Sequence, residues 1–293
     1  MTRISKAVIT AAGLGTRLLP ATKEQPKEML PLFAPSRYGV VLKPALQIIF
    51  EQLYDIGVRE FCFVVGRGKR SIEDYFTPDY GFLDYLKGAG KIAQAACLEE
   101  FYERIRNSHI LWVNQPAPRG FGDAVLTAAP FVGNDPFLVV AGDNYVLSPN
   151  NAHLHRLLEA FAHPEVDAAF LTEQVQDPRP YGVVVPSDPA PTHGFYVQSV
   201  VEKPKHPPSS FIIVSFYAFP PLLIDILRET PPGYGGEVQL TDAIQQLIRK
   251  GLRVVAVPLR DNEFRLDIGT TETYWRALQA SYEHATRSAE RQK

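Results

Sequence analysis

Residues able to handle negative charge recur along this sequence beside glycines. The first group is Ala11-Ala12-Gly13-Leu14-Gly15-Thr16-Arg17-Leu18-Leu19-Pro20, running on through Lys23 to Pro26-Lys27-Glu28-Met29-Leu30-Pro31. Glycine lets the backbone turn tightly with no Cβ over its N–H groups. Successive N–H groups in such a turn form a nest for anions. With the cations Arg17, Lys23 and Lys27 close behind, the chemistry on offer is phosphate binding. It is neither of two familiar loops. A dinucleotide fingerprint needs a third glycine where Leu18 stands, and a P-loop needs Gly-Lys-Ser/Thr where Gly15-Thr16-Arg17 stands.

Further along, Asp143 closes an apolar run, where a carboxylate can hold Mg²⁺, a hard cation that shares oxygen ligands with phosphates. It can equally be a turn or helix-capping aspartate. Asp267, in Phe264-Arg265-Leu266-Asp267-Ile268-Gly269, is ambiguous in isolation. Glu202-Lys203-Pro204-Lys205 follows an apolar run and reads by itself as a solvated strand end. Glu237-Val238-Gln239-Leu240-Thr241-Asp242 reads as a helix start. The seven histidines form no constellation, and no nucleophile-elbow string supports a Ser/His/Asp triad. A net charge of −2 argues against a general nucleic-acid binder. Cys62 and Cys97 lack metal spacing and read as buried free thiols, which fits a reducing cytoplasm. Residues 1–6 lead straight into an apolar run with no signal-peptide character, and no uncharged stretch has the length of a membrane span.

These residues need elements to position them. Ala7-Val8-Ile9 is too short for a helix and predicts a buried strand. Leu46, Ile49, Leu53 and Ile56 recur at helical spacing, with Pro44 suited to the first turn and Gly57 to the end. Strands follow at 61–65, 110–113 and 136–141. Helices follow at 71–76, over 83–106 with a break near Gly88-Ala89-Gly90, and over 121–129. Alternation of this kind implies right-handed βαβ units and a mostly parallel sheet covered on both faces. Residues 34–41 look like extra loop. After a helix near 151–161, strands at 167–173, 181–186, 195–202 and 212–219 are separated by Pro-rich turns, which predicts antiparallel or mixed additions to the sheet. Helices near 222–229, 240–250 and 271–287 and a strand at 254–258 complete the chain. In the last helix Tyr274, Leu278 and Tyr282 share a face beside Trp275, to be packed on the core or on a second subunit. The expectation is one domain over 1–293, with a nucleotide-binding half (1–150) and a sugar-phosphate half (151–293).

In combination, the glycine loop with Pro-Lys-Glu-Met-Leu-Pro, Glu202-Lys203-Pro204 and Glu237-x-Gln239-Leu240-Thr241-Asp242 resemble, in order, the motifs of the sugar-nucleotide pyrophosphorylases. They are similar in particular to those of the bacterial UTP–glucose-1-phosphate uridylyltransferases. The resemblance implies an α/β, Rossmann-like three-layer sandwich with a mixed, mostly parallel central sheet and an antiparallel sugar-binding extension. It implies Mg²⁺ on Asp143 and Asp267, catalytic roles for Arg17, Lys27, Lys203 and Asp143, and nucleotide contacts from Ala11, Ala12, Gly13, Gly15, Thr16, Glu28, Gln115 and Gly120 as well. Gly182, Glu202, Lys203 and Val214 would hold the sugar phosphate. UTP and glucose 1-phosphate are the implied partners of a cytoplasmic homo-oligomer, with no nucleic acid and no membrane. A thymidylyltransferase using dTTP and a non-catalytic ligand-sensing relative are the alternatives. Ser215-Phe216 stands where a glycine–arginine pair is common in the uridylyltransferases, and Gly142-Asp143-Asn144 looks more like the thymidylyltransferases.

Overall fold

A computed structural model describes residues 4–290. The first half runs β1 (Lys6–Ala11), β2 (Pro31–Ser36), β3 (Gly39–Pro44), α1 (Ala45–Asp55), β4 (Glu60–Val65), α2 (Arg70–Tyr75), α3 (Tyr80–Gly88), α4 (Ile92–Arg106), β5 (His109–Asn114), α5 (Phe121–Thr127), α6 (Ala129–Val132), β6 (Phe137–Ala141) and β7 (Asn144–Leu147). The second runs α7 (Ala152–Ala162), β8 (Ala168–Gln174), β9 (Gly182–Pro189), β10 (Phe195–Glu202), β11 (Phe211–Phe219), α8 (Leu222–Glu229), α9 (Leu240–Arg249), β12 (Val254–Pro258), β13 (Phe264–Asp267) and α10 (Thr271–Glu290).

Nine strands form one sheet in the order β5-β4-β1-β6-β11-β8-β12-β10-β9. The first-half strands pair in parallel, β1 lying between β4 and β6. Beyond β6 the pairing turns antiparallel, except where β12 runs parallel to β8. Parallel strands therefore fill one side of a mixed sheet, and the second half supplies the antiparallel side. The unbroken apolar runs are explained by burial on both faces. Ile9, Phe61, Phe63 and Val140 pack with Ile49 and Phe50 of α1 and Leu157 of α7. Val8, Cys62, Val64 and Val139 face the other way, against Val125 of α5, Leu227 of α8 and Leu247 of α9. Cys62 is buried and Cys97 half-buried, both as free thiols.

Residues 34–41 are not a loop. β2 and β3 form an antiparallel hairpin in register from Pro31 opposite Pro44 to Ser36 opposite Gly39. Prolines at 31, 35 and 44 mask it in the sequence, because proline withholds a ladder donor; a separate two-stranded ribbon tolerates that. The hairpin seats on α10 through Tyr274 Oη donating to Pro31 O (3.0 Å) and an edge-to-face pair of Phe33 with Tyr282 (5.1 Å). The second unforeseen ribbon pairs β7 with β13, setting Asn144 opposite Asp267. No helix among the described residues is long and apolar enough to cross a membrane.

Candidate active site

A cleft of about 790 Å³ opens at the carboxyl ends of β1 and β6, where ligands sit in open α/β sheets. Its floor begins where β1 ends. Gly15 turns the chain with φ 66°, in the left-handed region that favours glycine. Thr22 Oγ1 donates to Gly15 O (2.7 Å) and closes the turn. Gly13 lies against Lys27: a Cβ there would stand in ordinary contact, 3.5 Å from Lys27 Cε and 3.7 Å from its Nζ. Arg17 follows in a single helical turn and lines the cleft exposed. Lys23 is solvated outside the cleft near Glu24, so it drops out of the cation set read from the sequence.

Lys27 is half-buried and makes a short ion pair with Asp143 Oδ2. Burial by itself would lower its ammonium, but the carboxylates of Asp143, then Glu28 and Asp267, outweigh that and hold it above the ordinary lysine value. Glu28 is buried, bound to Lys69 Nζ at 2.8 Å; burial nonetheless lifts its carboxyl above the ordinary value. Asp143 is placed by the extension of β6, since Gly142 N–H donates to Thr10 O (2.9 Å). The β7–β13 ribbon then brings Asp267 alongside, and Ile268 N–H donates to Asp143 O (3.1 Å). Burial, then the negative charge of Asp143, raise the Asp267 carboxyl. Two adjoining carboxylates that repel one another, with the buried Asn144 Oδ1 unpartnered nearby, are a set of hard oxygens that fits a small dication. No group of three His, Cys, Asp or Glu with metal-site geometry occurs among the described residues, so most of the ion's shell would come from substrate and water.

The opposite wall comes from β9, β10 and β11. Glu202 Oε2 accepts from Thr241 Oγ1 (2.6 Å) at the start of α9. A Cβ on Gly182 would stand 2.9 Å from that hydroxyl and 3.2 Å from Glu202 Oε2, so a side chain there would displace both. Lys203 has φ 42°, unusual for a residue with a Cβ, and its N–H donates to Tyr181 O (3.0 Å). Its Nζ lies 3.3 Å from Glu202 Oε1 and 5.2 Å from the centre of the Tyr234 ring. Gln115 and Gly120 line the far end beside Glu237 and Gln239. Gly120 has φ 113°, and a Cβ there would meet Val238 O at 2.5 Å.

The cleft thus gathers Ala12, Gly13, Gly15, Thr16, Arg17, Lys27, Glu28, Gln115, Gly120, Asp143, Gly182, Glu202, Lys203 and Asp267. Two expected residues do not line it. Ala11 is buried within the sheet, its neighbours Thr10 and Ala12 facing the cleft. Val214 is fully buried; strand alternation turns Ile213 and Ser215 to the cleft and Val214 to the other face. Residues that sequence reasoning missed include Lys69, whose basic setting Arg67-Gly68-Lys69-Arg70 reads as solvated, and Tyr181, stacked under Arg265 (4.9 Å).

Residues 6–284 match the family model described as nucleotidyl transferase. A curated relative, UTP–glucose-1-phosphate uridylyltransferase 2 of Streptococcus pyogenes serotype M3, is 38% identical over 275 residues, covering 92% of this chain and 87% of the relative. Among solved structures, UDP-glucose pyrophosphorylase complexed with UDP-glucose superposes with a TM-score of 0.81 at 30% identity, covering 96% of this chain and 99% of that one. UTP-bound UGPase from Acinetobacter baumannii gives 0.83 at 29% identity, covering 99% and 98%.

Proposed function

The chain belongs to the nucleotidyl transferase family, and we propose that it is a UTP–glucose-1-phosphate uridylyltransferase of the cytoplasm, forming UDP-glucose and pyrophosphate. The convergence of Lys27, Asp143, Asp267 and Lys203 on one cleft behind a glycine loop carries this reading. A phosphate oxygen of glucose 1-phosphate attacks the α-phosphorus of UTP. The bond from that phosphorus to the bridging oxygen breaks, and pyrophosphate leaves with the electron pair.

The acceptor phosphate has a second pKa of about 6 and is ionised at neutral pH, so no general base is required. The obstacle is charge: two unit charges 4 Å apart repel by about 4 kcal/mol at an effective dielectric near 20, and several such pairs must meet. The residues act accordingly. Backbone N–H groups around Gly13 and Gly15 hold the triphosphate, and Arg17 and Lys27 take the charge that collects on departing pyrophosphate. Lys203 aims the attacking phosphate in line, with Glu202 and Gly182 against the sugar. Asp143 and Asp267 would hold Mg²⁺, whose chemistry there is neutralisation of phosphate charge. Gln115 and Gly120 face the base. The outer face of α10, where Trp275 is 60% exposed, supports assembly into a homo-oligomer, which light scattering would detect.

The test is pyrophosphate release with UTP or dTTP against several sugar 1-phosphates, with and without Mg²⁺. Metal-dependent release with UTP and glucose 1-phosphate is expected; release confined to dTTP or to another sugar phosphate would overturn the assignment. Arg17→Ala should lower turnover on the order of 10²-fold or more, the usual loss when one preorganised charge donor is removed.

A further inference from the structure

Gln115 presents a side-chain amide to the cleft, and an amide can offer a base either its oxygen or its NH₂. Here the choice is made from behind. Gln115 Nε2 donates to Asp123 Oδ2 at 2.7 Å and to Gly120 O at 3.3 Å. A carboxylate oxygen and a carbonyl oxygen can only accept, so the NH₂ group must face them. Both amide hydrogens are thereby used inside the protein, and the oxygen is what remains for the cleft. The backbone is fixed as well, since Gln115 N–H donates to Val65 O (2.8 Å) at the end of β4. Gln115 is 5% and Asp123 8% exposed, so water competes little for these bonds. Asp123 does not itself line the cleft. Arg119 Nε stands 3.5 Å from Asp123 Oδ1 and balances its charge.

We infer that Asp123 sets the base selectivity of the cleft by holding Gln115 with its carbonyl oxygen toward the base. With the base seated so that N3 faces that oxygen, the site takes a pyrimidine carrying a hydrogen there and disfavours cytosine, whose N3 is an acceptor and whose only donor on that edge is the exocyclic N4 amine. Uracil and thymine both carry that hydrogen, so the device sorts the imide pyrimidines from cytosine and leaves UTP and dTTP to be separated elsewhere. Asp123 is a positioning residue, acting only through Gln115. The inference rests on the reading of the cleft as a nucleotide site. A site built to hydrogen-bond a substrate N–H strongly rejects an analogue lacking it, because its own buried polar group is left unpaired.

The experiment is calorimetric binding of UTP and of CTP to the full chain in Mg²⁺ buffer, before any turnover. The wild type should bind CTP at least ~100-fold more weakly than UTP. Asp123→Asn keeps the shape but introduces a donor that can bond Gln115 Oε1 and turn the Gln115 NH₂ to the base. The ratio of the two dissociation constants should then fall at least tenfold, while Asp123→Glu, which keeps an acceptor, retains the preference. A merely structural role would weaken both nucleotides alike. Should Asp123→Asn not fold by circular dichroism, Asp123→Ser, also able to donate, carries the same test. Equal binding of UTP and CTP by the wild type, or an unchanged ratio in the folded donor variant, would overturn the inference. Absence of UTP binding would overturn it together with the nucleotide reading. Selective binding of UTP without pyrophosphate release would sink the proposed reaction and leave Asp123 its role.

Discussion

On the wall built from β1 and β6, Lys27 keeps 15% of its side chain exposed and contacts Asp143, while Lys69 and Glu28 behind it keep 8% and 2%. On the wall built from β9 and β10, Lys203 keeps 37% exposed, held by its neighbour Glu202 and the Tyr234 ring. The first wall is a chain of alternating charges, Lys69–Glu28–Lys27–Asp143, fixed before any ligand arrives. The second presents its lysine, Lys203, more openly on a left-handed backbone turn. Preorganised charge costs no rearrangement when substrate binds, but it must be kept buried at the expense of stability. The wall proposed to hold the nucleotide accepts that cost at its lysine; the one proposed for the sugar phosphate leaves its lysine more open.

Removing a partner from the buried chain should hurt the fold most. Lys69→Met strands Glu28 and should destabilise the protein by about 3–5 kcal/mol in urea unfolding; a wild-type midpoint would show that the first wall is no more committed than the second. Lys203→Ala should do the reverse, lowering kcat on the order of 10²–10³-fold with the melting temperature kept. If melting falls and turnover holds, the contrast between the walls fails. Behind the second wall, His153 is fully buried, edge-on to Phe216 at 5.6 Å, and neither ring nitrogen has a partner among the described residues. Burial pushes its imidazole down to about 3. Its contribution to stability is complete above the unfolded value near 6.5 and is lost as pH falls from there toward 3, because the unfolded chain takes up the proton first. That amounts to ~2 kcal/mol at pH 5, and His153→Leu should flatten this part of the stability–pH curve; an unchanged slope would place the acid sensitivity elsewhere. The smallest effect should come from a pair remote from both walls: Tyr282→Ala removes the ring against Phe33 and should cost ~1 kcal/mol of stability, with activity as the control that does not move.

The parallel half of the fold is legible because its strands are uninterrupted apolar runs that end in glycine turns, as at Ala7-Val8-Ile9 and Phe61–Val65, and both faces need covering. The glycine loop, Asp143 and Glu202-Lys203 are legible because each follows such a run. The β2–β3 hairpin is not, because its prolines read as loop. The β7–β13 ribbon is not, because four-residue strands are too short to carry a period, and only their pairing sets Asp267 beside Asp143. Val214 is misplaced for a simpler reason: a one-residue step in a strand exchanges the cleft for the core. Lys69 and Asp123 act through another side chain at long range or from behind, and such roles leave no local mark.

The β7–β13 ribbon has one more consequence. Its two strands, Asn144–Leu147 and Phe264–Asp267, lie far apart in the sequence and so leave the ribosome at different moments of translation. Until the later strand emerges, the chain owns a lone aspartate, Asp143, matched by Lys27. The carboxylate pair proposed to hold the dication is therefore completed only once β13 has emerged, and a chain clipped before β13 would lack Asp267.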